Sequence, residues 1–211
     1  QGIVDIRNLD HVRAVLDSTK PKLIFHLAAQ SLVRRSYADP LGTFSTNIIG
    51  GANLLEAVRF QPSVDGVVFV TSDKAYENRE WEWGYRETDL LGGSDPYSAS
   101  KGALEIVLSS FRRSFFEING PRVIAARAGN VIGGGDWYEN RIVPDIVRAS
   151  AGSSKRLTLR YPSATRPWQH VIEPLFGYLK LASKIYLNKK FSGSWNFGPN
   201  KKNNLKVIDL V

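Results

Sequence analysis

Short apolar runs rich in β-branched residues alternate with longer amphipathic runs along the chain. The short runs predict strands at residues 22–27, 66–71, 122–127, 156–160 and 194–197. Apolar positions that recur every three or four residues predict helices at 10–18, 40–60, 95–116, 140–151 and 173–187. Asp95 precedes Pro96, a combination typical of a helix N-cap followed by a proline in the first turn. Because alternating strands and helices are typical of βαβ units, we expect an α/β fold with a parallel sheet.

Two loops that follow predicted strands have an unusual composition. Residues 76–94 contain Trp81 and Trp83, and residues 128–139 contain a run of three glycines followed by Asp136. Doubly wound sheets bind ligands at the carboxyl ends of their strands, which is where both loops lie. Surface packing of the tryptophans is the alternative interpretation.

The composition of the 211 residues restricts the possible functions. The chain contains no cysteine, which excludes disulfides, thiol nucleophiles and cysteine-bound metal, and we predict no metal site. Its 28 lysines and arginines exceed its 20 acidic residues, giving a net charge of +8. Because these basic residues are scattered, we expect an anionic small molecule rather than nucleic acid as the partner. Apolar runs too short for a membrane span, and no visible signal sequence, favour a cytoplasmic protein.

Two motifs combine into a candidate active site. Tyr97 and Lys101 are four residues apart, which places a phenol and an ammonium on one helix face. A nearby cation favours the phenolate, so the tyrosine can act as a base at neutral pH, although a solvated helix face is the simpler interpretation of this spacing. One predicted strand ends in Ser72, Asp73 and Lys74, which bring a hydroxyl, a carboxylate and an amine to one strand tip.

One strand precedes Ala28-Ala29, the next precedes Ser72-Asp73, and Tyr97 and Lys101 follow on a helix. In that order, these motifs resemble those of the extended short-chain dehydrogenase/reductase family. The resemblance covers the whole chain, and the segments 71–74, 77–85, 129–137 and 166–171 are similar to those of the branch that dehydrates CDP-glucose. It implies a doubly wound, parallel Rossmann-type sheet, incomplete here, with a smaller C-terminal substrate-binding portion. It also implies NAD as cofactor, a nucleotide sugar as substrate with CDP-glucose favoured, and a role in deoxysugar biosynthesis for lipopolysaccharide O-antigen. Relatives pair through two helices, here 40–60 and 96–116, so we expect a homodimer or a higher oligomer.

The resemblance implies a 4,6-dehydratase reaction in which the sugar is oxidised at C4, loses water across C5–C6 and regains the hydride at C6. Tyr97 then takes the C4 hydroxyl proton, Lys101 holds the ribose and lowers the phenol pKa, and Ser72 binds the C4 oxygen. Asp73 and Lys74 are the candidate acid at C6 and base at C5. Relatives that act on dTDP-glucose carry Asp-Glu here. Lys74 must be neutral to act as a base, which partial burial or a nearby arginine promotes, so the C5 base stays open between Lys74 and another group.

Cofactor and substrate contacts follow from the same resemblance. The implied cofactor-binding residues are Asp5, Ile6, Leu27, Ala28, Ala29, Gln30, Asn47, Thr71, Tyr97, Lys101 and Ala128. Of these, the pair 5–6, placed after a strand, contacts adenine, and the small residues of 27–30 let a flat ligand approach the backbone. The implied substrate-binding residues are Ser31, Ser72, Asn130, Arg141, Arg166 and His170. The arginines match the two oxygens of a diphosphate, although Arg141 is also interpretable as a surface charge and His170 as a buried structural histidine.

The glycine-rich turn with which the family begins has no counterpart in these residues. We therefore interpret the chain as a central piece without that loop and without the C-terminal end, inactive by itself and weak in NAD binding. Residues 1–130 are expected to form part of an NAD-binding Rossmann domain with the catalytic residues, and 131–211 part of an interleaved substrate-binding region.

Two other functions stay open. An NAD-dependent epimerase or decarboxylase of another nucleotide sugar needs no acid–base pair for water loss, so Asp73 and Lys74 argue against it. A noncatalytic nucleotide-binding scaffold has no use for a complete set of Asp73, Tyr97 and Lys101.

Overall fold

In the computed structural model, which describes residues 2–152, 156–200 and 204–211, the chain forms two compact units. The first unit comprises Gln1–Arg127 and Tyr178–Asn196, and the second comprises Ala128–Gly177 and Phe197–Val211. The chain first crosses between units close to the expected boundary at residue 130, and it later returns to the first unit. The assignment of NAD binding and substrate binding to these parts stays a prediction.

Seven helices and eight strands lie in the described residues. The helices are α1 (Leu9–Thr19), α2 (Val33–Ala38), α3 (Pro40–Phe44), α4 (Gly50–Arg59), α5 (Pro96–Phe111), α6 (Ile142–Ala151) and α7 (Ile172–Leu187). The strands are β1 (Leu23–His26), β2 (Gly66–Val70), β3 (Arg122–Ala128), β4 (Val131–Ile132), β5 (Thr165–Pro167), β6 (Gln169–His170), β7 (Gly193–Phe197) and β8 (Asn204–Lys206).

A four-stranded sheet in the order β1–β2–β3–β7 is the centre of the first unit. β1 pairs with β2, and β2 with β3, in parallel register. The central strand β2 is an unbroken apolar run because both faces of a parallel sheet are covered by helices. Its Val67 and Phe69 lie in one core cluster with Leu55 of α4 and Leu104 of α5. The predicted Rossmann-type α/β fold is confirmed.

Local signals explain where the helices begin. The side chain of Asn8 accepts hydrogen bonds from two amides of the first turn of α1. As predicted, Asp95 caps α5 by accepting from the Ser98 amide, with Pro96 in the first turn. The helix predicted at 40–60 is present as α3 and α4, joined by a π-helical turn at Ser45–Ile49.

Two predicted strands are absent from the described residues. Residues 156–159 have no regular structure, so the strand predicted at 156–160 is wrong. A short alternating run forms a strand only where a neighbour supplies hydrogen bonds, and in this part of the chain β5 pairs instead with β8. Residues 2–5 likewise form no strand, so the pair 5–6 does not follow one among the described residues. No helix in the described ranges has the length and hydropathy of a membrane span.

Candidate active site

The segment after β2 carries the proposed acid–base residues of the first unit. Asp73–Ala75 forms one turn of 3-10 helix, and Ser72 caps it by accepting a hydrogen bond from the Lys74 amide at 3.2 Å. The Ser72 hydroxyl lies 3.1 Å from a carboxylate oxygen of Asp73. Ser72 is buried, Asp73 is half-buried and Lys74 is exposed, so the partial burial expected for Lys74 is not found.

The structure places Tyr97 and Lys101 on the first turns of α5, beside the carboxyl end of β2. Lys101 Nζ donates a hydrogen bond to the Val70 carbonyl oxygen at 3.4 Å and lies 5.9 Å from the centre of the Tyr97 ring. Burial of the side chain lowers the pKa of Lys101 to about 8, although the carboxylate of Glu105 opposes the shift. Across the described residues this long bond is the only one that the ammonium donates, so it can take further acceptors.

Asn47 holds the loop after β1 against α5. Its amide group donates to the Gln30 carbonyl at 3.0 Å and to the Ser100 hydroxyl at 2.8 Å, while its oxygen accepts from the Gln30 amide at 2.8 Å. Ser36 adds a second link, because its hydroxyl accepts a hydrogen bond from the Tyr97 amide at 3.1 Å. Asn47 therefore fixes the distance between this loop and the turn that carries Tyr97, and contact with a cofactor stays a prediction.

The loop that Asn47 anchors offers small side chains and exposed backbone. Leu27 and Ala28 are exposed, Ala29 and Gln30 are half-buried, and Ser31 is exposed. Such a loop at the carboxyl end of a parallel strand leaves its backbone accessible to a ligand. Whether these residues contact a cofactor stays a prediction.

Asp5 and Ile6 are bound to their neighbours rather than aligned on a strand. The carboxylate of Asp5 accepts hydrogen bonds from the Arg7 side chain and backbone, which lowers the pKa of Asp5 to about 2. The Ile6 carbonyl accepts from the Asn53 amide at 3.0 Å, and its side chain packs on Gly50. A Cβ on Gly50 would lie 2.6 Å from Ile6 Cδ1, so a larger residue would require the Ile6 side chain to shift.

A buried ion pair in the first unit was missed from the sequence. Glu105 of α5 is 1% exposed and Arg127 of β3 is 3% exposed, and their side chains form two hydrogen bonds of 2.9 and 3.0 Å. The available signal was Arg127 itself, a charged residue that follows the apolar run 123–126 of the strand. Another missed group is His26 at the end of β1, which is buried against the Phe69 ring.

Five of the predicted site residues lie in the second unit. Ala128 ends β3 in a buried position, and the Asn130 carbonyl accepts from the Gln169 amide at 3.0 Å. His170 of β6 is paired with Ile132 of β4, so Asn130 and His170 are associated with the same two-stranded ladder. The His170 ring is exposed, which contradicts the alternative of a buried histidine, and its Nδ1 accepts from the Ile172 amide at 3.3 Å.

The two predicted substrate-binding arginines lie on different elements of this unit. Arg141 precedes α6 and forms an ion pair of 2.7 Å with Asp136. Arg166 lies on β5 and donates to the Thr165 carbonyl at 2.8 Å. Both side chains are half-buried. Their joint action on a diphosphate stays a prediction.

Comparisons with known proteins agree with this architecture. The family model described as GDP-mannose 4,6 dehydratase matches residues 3–184. A CDP-glucose 4,6-dehydratase of Salmonella typhimurium is 48% identical over 215 residues, which cover 99% of this chain and 59% of that protein. This chain therefore spans less than two thirds of that relative's length.

Solved structures share the fold. A UDP-glucose 4-epimerase of Thermotoga maritima with UDP-glucose superposes with a TM-score of 0.83 at 24% identity, covering 98% of this chain and 64% of that one. A dTDP-glucose 4,6-dehydratase of Streptomyces venezuelae with NAD bound superposes with a TM-score of 0.80 at 23% identity, covering 98% and 60%. With a parallel sheet, the Tyr97–Lys101 helix and a family match over most of its length, the chain belongs to the GDP-mannose 4,6-dehydratase family.

Proposed function

We propose that this chain contributes the catalytic middle of an NAD-dependent nucleotide-sugar 4,6-dehydratase, with CDP-glucose as the favoured substrate. The observation that carries the proposal is the meeting of two elements: Lys101 of the Tyr97 helix reaches Val70 at the end of β2, three residues before Asp73. The high identity to the Salmonella CDP-glucose enzyme supports the choice of nucleotide. A cytoplasmic location is part of the proposal.

The residues present fit a nicotinamide dinucleotide. Lys101 is a buried ammonium with one long hydrogen bond in the described part of the chain, and ribose hydroxyls are suitable further acceptors. The loop 27–30, fixed by Asn47, would lie along the cofactor. When bound, NAD supplies the acceptor for the hydride from sugar C4 and the donor for its return to C6.

In this proposal, side chains of the protein carry out the proton transfers of the reaction. Tyr97 takes the proton of the C4 hydroxyl, and Lys101 stabilises the phenolate form of that tyrosine. Once C4 is a ketone, the C5 proton is acidic and is taken by a base. Asp73 donates a proton to the C6 hydroxyl, which leaves as water. Addition of hydride at C6 and a proton at C5 then gives a 4-keto-6-deoxy sugar, so the net change is the loss of one water.

The base at C5 stays open in this proposal. Lys74 is next to Asp73 on the same turn, but its exposed side chain lacks the burial that would favour a neutral amine. Arg141 and Arg166 are the proposed contacts of the substrate diphosphate.

Product analysis tests the proposal. The complete natural protein that contains these residues is incubated with NAD and CDP-glucose carrying deuterium at C4, and the product is examined by mass spectrometry. Loss of one water, with the deuterium recovered at C6, is expected. A product of unchanged mass with inverted configuration would identify an epimerase instead and overturn the proposal. UDP-, dTDP- and GDP-glucose in parallel reactions test the choice of nucleotide.

We further infer that the complete protein pairs with a second copy through α3–α4 and α5. Leu41 and Ile49 are exposed by 77% and 51%, and Ile106 of α5 by 60%. Large exposed apolar side chains on neighbouring helices are suited to an interface. Replacing Ile49 and Ile106 by glutamate should convert a dimer to a monomer in light scattering, whereas a wild-type protein that is already monomeric contradicts this part.

A further inference from the structure

Both members of the buried Glu105–Arg127 ion pair also form hydrogen bonds with other residues. One carboxylate oxygen of Glu105 accepts from Arg127 Nε and from the Thr71 hydroxyl, and the other accepts from Arg127 Nη2 and the Ser194 hydroxyl. Arg127 Nη1 donates to the Tyr76 hydroxyl at 2.7 Å and to a backbone carbonyl at 3.1 Å. The charges are therefore compensated within the protein, as a buried pair requires.

Two of the side chains bound to this pair, Thr71 and Tyr76, lie at the two ends of one short segment. Thr71 is the first residue after β2, and its hydroxyl donates to Glu105 at 2.6 Å. Tyr76 is the first residue after the 3-10 turn, and its hydroxyl is held by Arg127 and donates to Asn196 at 2.7 Å. Between these anchors lie Ser72, Asp73 and Lys74.

The segment between the anchors is itself internally bonded. The Ala75 amide donates to the Ser72 carbonyl at 3.1 Å, and the Tyr76 amide donates to the Asp73 carbonyl at 3.3 Å. A turn closed in this way moves as one piece, so the position of Asp73 depends on where its two ends are held. Arg127 also lies over the Tyr76 ring, 4.7 Å from its centre, which restricts the ring as well as the hydroxyl.

We propose that the Glu105–Arg127 pair positions the acid–base segment, holding Thr71 and Tyr76 so that Asp73 is aligned for proton transfer to the departing C6 hydroxyl. Glu105 and Arg127 act through these neighbours and are positioning residues. This role rests on the proposed dehydratase function. Buried ion pairs are poor evidence for stability, because apolar replacements are often as stable, so a role in fixing geometry is the more economical explanation of this one.

The test uses variants that loosen the anchors without leaving a buried charge unpaired. Glu105→Gln would strand the Arg127 guanidinium and is expected to unfold the unit, so it is unsuitable. Thr71→Val removes the Thr71 hydroxyl and keeps the shape of the side chain, and Tyr76→Phe removes the Tyr76 hydroxyl. Thr71→Ser restores the first hydroxyl. Thr19→Val, at an exposed position on α1, is the matched threonine control.

A buried tyrosine outside residues 71–76 provides the matched tyrosine control. Tyr178→Phe, on α7, removes a phenol hydroxyl from a side chain that is only 5% exposed. Thr19→Val and Tyr178→Phe are expected to turn over CDP-glucose at the wild-type rate.

In the complete natural protein, Thr71→Val and Tyr76→Phe are expected to lower kcat about 10- to 100-fold with KM unchanged. A small misplacement of a reacting group lowers the rate of the chemical step by about this factor. The 4-keto sugar that retains its C6 hydroxyl should accumulate in rapid-quench samples, because water loss is the step that uses Asp73. Thr71→Ser should recover the rate. Hydrogen exchange should increase at residues 71–76 in the two anchor variants and stay at the wild-type level in the controls.

The outcomes separate this proposal from the one on which it rests. A wild-type protein that does not dehydrate any nucleotide sugar overturns the proposed function and the positioning role with it. If the wild type is active and the anchor variants turn over normally, or lose rate only in proportion to KM or thermal stability, the positioning role alone is overturned. Faster exchange at 71–76 with unchanged kcat likewise overturns the positioning role alone.

Discussion

The side-chain amide of Asn47 donates a hydrogen bond of 2.8 Å to the hydroxyl of Ser100, and the same amide group binds the backbone of Gln30 on both sides. One buried side chain thus joins the loop after β1 to α5. Asn47→Ala leaves these polar groups unpaired and opens a small cavity, so the free energy of unfolding should fall by about 2–4 kcal/mol. Asn53→Ala, which removes one half-buried bond to Ile6, should cost only about 1 kcal/mol. Equal losses in urea titrations of the two variants would contradict the linking role.

The position of Asn47 shows what a single sequence can predict. Its helix was predicted because Ile48, Leu54 and Leu55 recur on one face, and a period of 3.6 residues determines which residues share that face. The π-helical turn at Ser45–Ile49 was not predicted, because a one-residue shift in backbone hydrogen bonding leaves no mark in the apolar pattern.

Replacements of Tyr97 and Asp73 should block different steps of the proposed reaction. Tyr97→Phe removes the base for the C4 hydroxyl, so turnover should fall about 100- to 10,000-fold with no oxidised sugar formed. Asp73→Asn keeps that base but cannot donate a proton at C6, so the 4-keto sugar with its C6 hydroxyl should accumulate. Mass spectrometry of rapidly quenched reactions distinguishes the two.

Asp65→Asn is the matched control, since it places the same change just before the amino end of β2. It should leave turnover unchanged. Product formation at the wild-type rate by both Tyr97→Phe and Asp73→Asn would show that the proposed roles are wrong.

The candidate site was predictable where it depends on local spacing and not where it depends on tertiary packing. Tyr97 and Lys101 share a helix face by spacing alone, and Asp73 lies at a strand tip because the strand before it is unmistakably apolar. Glu105 and Arg127 are 22 positions apart on different elements, and charged residues are rarely buried, so nothing local pairs them. The exposure of Lys74 is likewise a property of the packed chain.

Lys101 should make the protein less stable at neutral pH than its neutral replacement. Its pKa falls from 10.5 to about 8 through burial, so below pH 8 the native state holds a buried ammonium while the unfolded state holds a solvated one. Between pH 8 and 10.5 the unfolded state binds the additional proton, so stability rises with pH and the penalty disappears. Lys101→Met should therefore gain about 3 kcal/mol at pH 7, and the gain should vanish near pH 10.5.

Urea unfolding of the wild type and the variant at several pH values measures this difference. Lys180→Met, at an exposed position on α7, is the control and should track the wild type throughout. A constant difference between Lys101→Met and the wild type from pH 7 to 10.5 would contradict the burial of a charged lysine.

His26 should produce a dependence of the same sign, with stability rising with pH, but in the acid range. Burial and the charge of Lys101 lower its pKa from 6.5 to about 4, so the native histidine stays neutral while the unfolded one binds a proton. Stability is complete above pH 6.5 and falls as the pH drops to 4. Between pH 7 and pH 4, the unfolding free energy of the wild type should fall by about 3 kcal/mol more than that of His26→Gln. The exposed His11, replaced in the same way, should leave the acid dependence unchanged.

Arg141 and Arg148 offer a matched pair for testing substrate binding by the second unit. Each forms an ion pair with an aspartate, and the side-chain exposures are nearly equal, 38% and 31% for Arg141–Asp136 against 37% and 32% for Arg148–Asp145. Exposed pairs of this kind contribute at most about 1 kcal/mol. Arg148 also donates to the backbone carbonyls of Trp137 and Tyr138, so Arg148→Ala should lower stability slightly more than Arg141→Ala. If Arg141 binds the diphosphate, only Arg141→Ala should weaken CDP-glucose binding, by about 10- to 100-fold, since charge-assisted hydrogen bonds are worth about 1.5–3 kcal/mol. Calorimetry on the complete natural protein measures both affinities. Equal affinities of the two variants for CDP-glucose would show that Arg141 only pairs with Asp136 and does not bind the substrate.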